Sequence, residues 1–75
     1  MIRMSNQLHE EGITFAEEGN YSKAIEKFDQ SILLNPNNSM VWEQKSQILM
    51  EMGDYFGAIK AAEKATQIDP TFVFS

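Results

Sequence analysis

Cysteine is absent from the 75 residues, and basic side chains are few, with 6 Lys and Arg against 11 Asp and Glu. Without cysteine the chain forms no disulfide and offers no thiolate to a metal ion. A net charge of −5 has the wrong sign for neutralising phosphates, so nucleic acid is not an expected partner. The composition therefore excludes a disulfide-stapled fold and argues against a nucleic-acid-binding domain.

Uninterrupted apolar runs are only three or four residues long, as at Ile48–Met50. A helix that crosses a bilayer needs roughly 20 apolar residues. The first residues, Met1–Met4, carry one Arg and no apolar stretch, so neither a secretory signal nor a transit peptide is expected. With 43% hydrophobic and 23% charged residues, the composition favours one small folded domain without a membrane span. The expected location is cytoplasmic.

Comparison of the chain with itself shows an internal repeat with a period of 34 residues. Seven of the 34 aligned pairs are identical, above the roughly two expected from average residue frequencies. Most of them surround a mid-repeat glycine and a terminal proline, so the same local structure is predicted twice. The identical pairs are Ser5 and Ser39, Glu17 and Glu51, Gly19 and Gly53, Tyr21 and Tyr55, Ala24 and Ala58, Ile25 and Ile59, and Pro36 and Pro70.

Apolar residues recur three or four positions apart within each half of a repeat, which is typical of amphipathic helices. Gly19 and Gly53 fit the left-handed position that ends a helix, and Asn20 and Asp54 fit the N-cap of the following helix. The proline at the end of each repeat prevents the second helix from continuing. We predict an all-α chain of four helices, arranged as two antiparallel helix-turn-helix hairpins without any strand.

This layout resembles the tetratricopeptide repeat, whose pattern is W-x2-L-G-x2-Y, then A-x3-F, then P. The resemblance covers residues 5–72 and implies a first repeat at 5–38, a second at 39–72, and the start of a third repeat or a tail at 73–75. It also implies that the hairpins stack as part of a right-handed superhelix. The matching residues are Leu8, Gly12, Phe15, Ala24, Phe28 and Pro36, then Trp42, Leu49, Ala58, Ala62 and Pro70.

Small residues in the pattern, Ala24 and Ala58 among them, are expected where the helices of a hairpin approach closely. Three residues depart from the pattern: Glu11 and Lys45 stand where Leu is usual, and Ser46 stands where Gly is usual. We expect these departures to loosen the packing of the first helix of each repeat.

Catalytic constellations are not found in the sequence. His9 is the only histidine and has no second metal-binding histidine at helical spacing, so it is interpreted as a surface side chain. The two glutamates of each acidic pair, at 10–11 and 17–18, point about 100° apart on a helix. These residues are interpreted as a solvated face and not as a catalytic acid–base pair. The four glycines stand singly, which excludes a phosphate-binding loop. We expect no enzymatic activity, no catalytic residue, no metal and no cofactor.

Proteins with tetratricopeptide repeats are interaction scaffolds, and the resemblance places a partner peptide on the concave surface formed by the first helix of each repeat. The segment Ser5–Glu18 carries four glutamates and no base, while Met40 and Met50 offer adaptable apolar contacts. We expect the groove to prefer a peptide with Lys or Arg beside an apolar anchor, with ordinary solubilising charge as the alternative explanation. The groove residues implied are Asn6, His9, Ile13, Ala16, Glu17, Met40, Glu43, Gln44, Gln47, Met50 and Glu51.

A role as a chaperone-tail adaptor is disfavoured by the same resemblance. The family's clamp for a C-terminal carboxylate needs Lys and Asn one turn apart on the first helix and Asn on the third, where this chain has His9, Ile13 and Gln44. None of these side chains supplies the positive charge that a carboxylate requires.

Self-association is the alternative function. Stacked repeats usually need about three units and a polar capping helix for stability, and none follows the second repeat here. The uncovered last helix would then form a homo-oligomer by stacking or by exchange of hairpins. The residues expected to meet another copy are Ile59, Ala62, Thr66, Phe72 and Phe74.

Overall fold

The computed structural model describes residues 2–70, with side chains from residue 4 onward. Helix α1 packs against α2, α3 packs against α4, and α2 packs against α3, so two hairpins lie side by side. The all-α prediction is confirmed, and no strand occurs within residues 2–70. The helices are α1 (Ile2–Glu17), α2 (Tyr21–Leu34), α3 (Ser39–Glu51) and α4 (Tyr55–Ile68).

Both predicted helix-ending glycines have a left-handed backbone, with φ 82° at Gly19 and 88° at Gly53. The N–H of each glycine donates to the carbonyl three residues earlier at 3.0 Å, and the next N–H donates to the carbonyl five residues earlier at 2.8 Å. This pair of bonds is the Schellman closure, which satisfies carbonyls that the helix end leaves free. The two turns inside the hairpins therefore have the same backbone structure.

The N-caps of the second helix in each hairpin differ. The Asp54 carboxylate accepts a hydrogen bond from the Gly57 N–H at 3.0 Å, which completes the cap of α4. Asn20 occupies the matching position of α2, but its side chain makes no capping hydrogen bond. Only its backbone carbonyl contributes, accepting from the Ala24 N–H at 3.1 Å. The predicted side-chain cap is thus present at Asp54 and absent at Asn20.

The prolines end the second helix of each hairpin through the residue before them. Asn35 and Asp69 have φ values of −146° and −138°, which is extended backbone. A proline ring disfavours the helical conformation in the residue that precedes it, so both helices end there as predicted.

The buried apolar core lies at the junction of α1, α2 and α3. Ala24, Phe28 and Val41 form one cluster and are at most 1% exposed. A Cβ built on Gly12 would lie 2.5 Å from Cε1 of Phe28, so the small residue of the pattern is required for α1 to approach α2. The second hairpin is held by smaller side chains, since the buried apolar residues of α4 are Ala58, Ala61 and Ala65.

The departures from the repeat pattern do not loosen the helices, and that expectation is wrong. Ser46 is 6% exposed, and its hydroxyl donates to the carbonyl of Ala58 at 2.7 Å, which ties α3 to α4. Lys45 forms an ion pair with Asp29 of α2 at 2.6 Å. Glu11 pairs with Lys27 of α2 at 3.3 Å, so the side chain at each of the three positions contacts another helix.

A second buried polar contact joins the start of α1 to the end of α2. The Ser31 hydroxyl donates to the Ser5 carbonyl at 2.8 Å, and the Ser5 hydroxyl donates to the Ser31 carbonyl at 3.0 Å. Both residues are 0% exposed, so each hydroxyl has the hydrogen bond that burial requires.

Candidate functional site

A pocket of about 230 Å³ lies where α1, α2 and α3 meet. Its apolar surface comes from all three helices, and Glu17 and Glu51 are exposed beside it. Neither Lys nor Arg is among its lining residues, so its charge is purely acidic. We call this feature the groove pocket; its lining residues are Ile13, Ala16, Glu17, Tyr21, Phe28, Gln44, Gln47, Ile48 and Glu51.

The residues implied for the groove divide into two groups in the structure. Six of the eleven line the groove pocket, namely Ile13, Ala16, Glu17, Gln44, Gln47 and Glu51. Met40 and Met50 lie outside it and are 52% and 53% exposed. Asn6 is exposed outside the pocket, while His9 and Glu43 are half-buried outside it.

Tyr21 and Ile48 line the groove pocket without having been assigned to it from the sequence. Tyr21 belongs to α2, whereas the resemblance places the groove on the first helix of each repeat. The recurrence of Tyr21 as Tyr55 was the available signal, because an aromatic residue repeated beside a turn has a role in each unit. Phe28, assigned to the core, also contributes to the pocket surface although it is only 1% exposed.

His9 connects the two hairpins at the side of the groove pocket. Its Nε2 contacts Oε1 of Gln44 on α3, and because a carbonyl oxygen only accepts, the ring nitrogen donates this hydrogen bond. The ring also meets Phe28 edge to face, with ring centroids 5.9 Å apart. The interpretation of His9 as a surface side chain is therefore wrong, since the side chain is half-buried between α1, α2 and α3.

The groove pocket offers two kinds of interaction to a ligand. Ile13 and Ile48 provide apolar contact, while the amides of Gln44 and Gln47 and the two carboxylates provide hydrogen-bond acceptors. The described residues contain no cluster of three or more His, Cys, Asp or Glu that could hold a metal ion. Apolar surface and hydrogen-bonding groups therefore lie side by side in the groove pocket.

The residues expected to self-associate lie on α4, away from the groove pocket. Ile59 is 58% exposed, Ala62 is exposed and Thr66 is half-buried. They line a shallow depression of about 500 Å³ together with Glu63 and Gln67. Phe72 and Phe74, assigned to the same surface, lie outside the described residues.

No helix within residues 2–70 combines the length and the apolar character that crossing a membrane would demand.

A family model described as the tetratricopeptide repeat matches the chain twice, at residues 5–38 and 39–72. The two matches together cover most of the chain, and each spans one helical hairpin.

Several curated proteins are similar to the chain. Tetratricopeptide repeat protein 33 of Homo sapiens is 44% identical over 66 residues, which is 88% of this chain and 25% of that protein. Its counterpart in Xenopus laevis is 40% identical over 72 residues, covering 96% of this chain and 28% of that protein. The Hsp70-Hsp90 organizing protein of Triticum aestivum is 26% identical over 70 residues, covering 93% of this chain and 12% of that protein. The chain spans about a quarter of the length of the first two relatives.

Proposed function

Because the chain belongs to the tetratricopeptide repeat family, we propose that it binds a peptide segment of a partner protein in the groove pocket. Repeats of this family generally mediate protein–protein interaction, and proteins built from them are generally non-enzymatic scaffolds. The observation that carries the proposal is the groove pocket itself, which combines an apolar surface with two exposed carboxylates and no base.

The partner segment carries Lys or Arg close to an apolar anchor. The anchor enters the groove pocket against Ile13 and Ile48, where its apolar surface leaves water. A cation on either side of the anchor pairs with Glu17 or Glu51. These ion pairs mainly fix the orientation of the peptide and raise its association rate, and they contribute less to the affinity. Met40 and Met50 stand exposed on α3 and adapt their shape to the flanking residues of the peptide.

A free C-terminal carboxylate is a poor ligand for this pocket. The positions that hold the family's clamp have His9, Ile13 and Gln44 here, and the Nε2–H of His9 donates a hydrogen bond to Oε1 of Gln44. An incoming carboxylate would meet Glu17 and Glu51 instead of a base, and like charges repel. The wheat relative is named as an organizer of Hsp70 and Hsp90, but that role does not follow for this chain from the shared repeats.

Self-association through α4 is the second candidate function, supported by the exposure of Ile59 and Ala62. One feature opposes the simplest form of it, in which copies stack in the same way as the hairpins. Within the chain, Lys45 pairs with Asp29 across the two hairpins. The residues at the matching positions of the repeat are Glu11 and Glu63, so Glu11 of one stacked copy would face Glu63 of the other. Two carboxylates at that position repel each other, so we favour peptide binding as the function.

The test uses fluorescence anisotropy with two labelled peptides, one with Lys two residues on either side of a central Leu and one with Glu in those places. We expect the Lys peptide to bind more tightly and its affinity to fall as salt is raised. The double substitution Glu17→Gln and Glu51→Gln should weaken it about threefold to tenfold, because two partly exposed ion pairs are lost.

The matched control is the double substitution Glu10→Gln and Glu26→Gln, which changes the net charge equally at two exposed residues outside the groove pocket. It should leave the affinity of the Lys peptide within about twofold of the parent. Equal affinities for the Lys and Glu peptides, with no dependence on salt, would contradict the proposal. Equal weakening by the two double variants would show that overall charge, and not the groove pocket, attracts the peptide.

A further inference from the structure

Two carboxylates at matching positions of the two repeats line the same pocket. Glu17 is the last residue of α1 and Glu51 is the last residue of α3, and the two are 34 positions apart. Both side chains are exposed, and both contribute to the surface of the groove pocket. The ion pairs formed within residues 4–70 involve neither of them. Each repeat therefore supplies one carboxylate that is available to a cation of a ligand.

An aromatic ring lines the pocket together with these carboxylates. Tyr21 is the first residue of α2 and is half-buried, so its side chain is held by the protein and still reachable from the pocket.

Elsewhere in the chain, three aromatic rings are covered by the chain's own cations. A lysine ammonium group lies over each of these rings, 4.9 to 5.7 Å from the ring centroid. The pairs are Phe15 with Lys23, Trp42 with Lys45, and Phe56 with Lys60. Within residues 4–70 no lysine covers the ring of Tyr21 in this way, which leaves that ring available to a cation of the ligand.

The combination of a ring and carboxylates distinguishes the two cationic side chains that a peptide can carry. A guanidinium group is planar and has five N–H donors, so it lies flat on an aromatic ring while its edge donates to a carboxylate. It also pairs with a carboxylate through two parallel hydrogen bonds. An ammonium group is compact and more strongly hydrated, so it gives up more favourable contact with water when it enters the pocket. These differences favour arginine over lysine.

Given the proposed function, on which this assignment rests, we propose that the cation of the partner peptide is an arginine. Its guanidinium group stacks on the ring of Tyr21 and donates to Glu17 or Glu51. Its aliphatic stem lies against Ala16, which lines the same pocket. The isoleucine surface of the groove pocket remains for the apolar anchor. Tyr21 is thus a specificity-determining residue that selects arginine among the basic side chains.

The probe is a set of labelled peptides built on the Lys peptide described above. One has Arg in place of both Lys residues, and another has citrulline there, which keeps the planar head group but carries no charge. By anisotropy the Arg peptide should bind about threefold to tenfold more tightly than the Lys peptide, because its guanidinium gains the stacking contact. The citrulline peptide should bind more weakly than either, since it forms no ion pair.

Substitutions of Tyr21 test the cause of the preference. Tyr21→Leu should weaken the Arg peptide about threefold to tenfold and the Lys peptide by at most about twofold, so that the preference disappears. Tyr21→Phe should keep the preference, because the ring face remains. In the complex with the parent protein, the side-chain proton signals of the arginine should move upfield, as they do over a ring face. This shift should be absent with Tyr21→Leu.

The repeat provides a matched control in Tyr55→Leu. Tyr55 stands 34 positions after Tyr21, is 64% exposed and lies outside the groove pocket. This variant should keep both the affinity for the Arg peptide and the preference over the Lys peptide. Loss of the preference in Tyr55→Leu, or its survival in Tyr21→Leu, would overturn the assignment of Tyr21.

The parent protein alone separates this proposal from the proposed function. Equal affinities for the Arg and Lys peptides, both above that for the Glu peptide, would overturn the arginine assignment and still support peptide binding in the groove pocket. Equal affinities for the Arg, Lys and Glu peptides would overturn both. A citrulline peptide that binds as tightly as the Arg peptide would overturn the arginine assignment, because stacking without charge would then suffice. An equal loss of Arg and Lys binding in Tyr21→Leu would also overturn it, since the residue would then only maintain the shape of the pocket.

Discussion

The hydroxyls of Ser5 and Ser31 each donate to the backbone carbonyl of the other residue, at 3.0 and 2.8 Å, and thereby fasten the beginning of α1 to the end of α2. The two helices are 26 residues apart in sequence at this contact. In the second hairpin the matching residues are Ser39 and Ala65, so this exchange of hydrogen bonds belongs to the first hairpin alone.

Ser31→Ala should lower the free energy of unfolding by about 1 kcal/mol, because the Ser5 carbonyl loses a buried hydrogen-bond donor. Ala65 at the matching position shows that the repeat accommodates alanine there, so steric effects should be small. Urea denaturation followed by circular dichroism measures the change. A loss below about 0.3 kcal/mol would show that the exchange of hydrogen bonds does not stabilise the hairpin.

Ala58→Leu should destabilise the chain by about 1 to 3 kcal/mol, because Ala58 is 1% exposed between α3 and α4 and has no room for three more carbon atoms. Ala62→Leu is the matched control, since Ala62 is exposed on the same helix. Thermal melts should show a large decrease for the first variant and little change for the second. Equal melting temperatures for the two variants would contradict the close contact of the helices at Ala58.

His9 and Gln44 should show a coupling energy of about 0.5 to 1.5 kcal/mol in a double-mutant cycle with alanine, because their hydrogen bond joins α1 to α3 across the hairpins. Denaturant titrations of the parent, the two single variants and the double variant provide the four free energies. His9 with Gln67 is the control pair, since Gln67 is exposed on α4 and should give coupling near zero. Equal coupling for both pairs would mean that the contact contributes nothing specific.

Gly53→Ala should lower the free energy of unfolding by about 1 kcal/mol, because φ is 88° at this position and alanine disfavours a left-handed backbone. The added Cβ would meet no steric obstacle, since apart from the adjacent residues of the chain nothing lies within 4 Å of it. Gly53→Asn should cost less, since asparagine tolerates the left-handed region better than alanine. Chemical denaturation of the three proteins provides the comparison. Alanine and asparagine variants of equal stability would argue against backbone strain as the cause.

Much of the fold could be predicted from sequence because its determinants are local. Apolar spacing at three and four residues marks the helices, Gly19 and Gly53 end two of them, and the residue before each proline ends the others. These signals act within a few positions along the chain. They are therefore readable without knowing how the helices cross.

The close approach of helices at Ala24 and Ala58 follows from the repeat pattern, but the polar contacts between helices do not. Ser46 was expected to loosen its helix, yet its hydroxyl reaches the Ala58 carbonyl, because the partner is a backbone atom that no residue type indicates. His9 was interpreted as exposed, and its position beside Gln44 depends on how the two hairpins lie against each other. For the groove, the repeat identified which helices contribute, but only the packing distinguishes Ile48, inside the pocket, from Met50, outside it.

The two hairpins differ in the size of the side chains that hold them, and this difference sets the order in which the chain opens. Phe28 buries a large ring in the first hairpin, whereas α4 is anchored by alanines, which remove little apolar surface from water. Helices with less buried apolar surface open at lower free energy. The amide protons of α4 should thus exchange with solvent before those of α2, and the first hairpin should remain as the last protected unit.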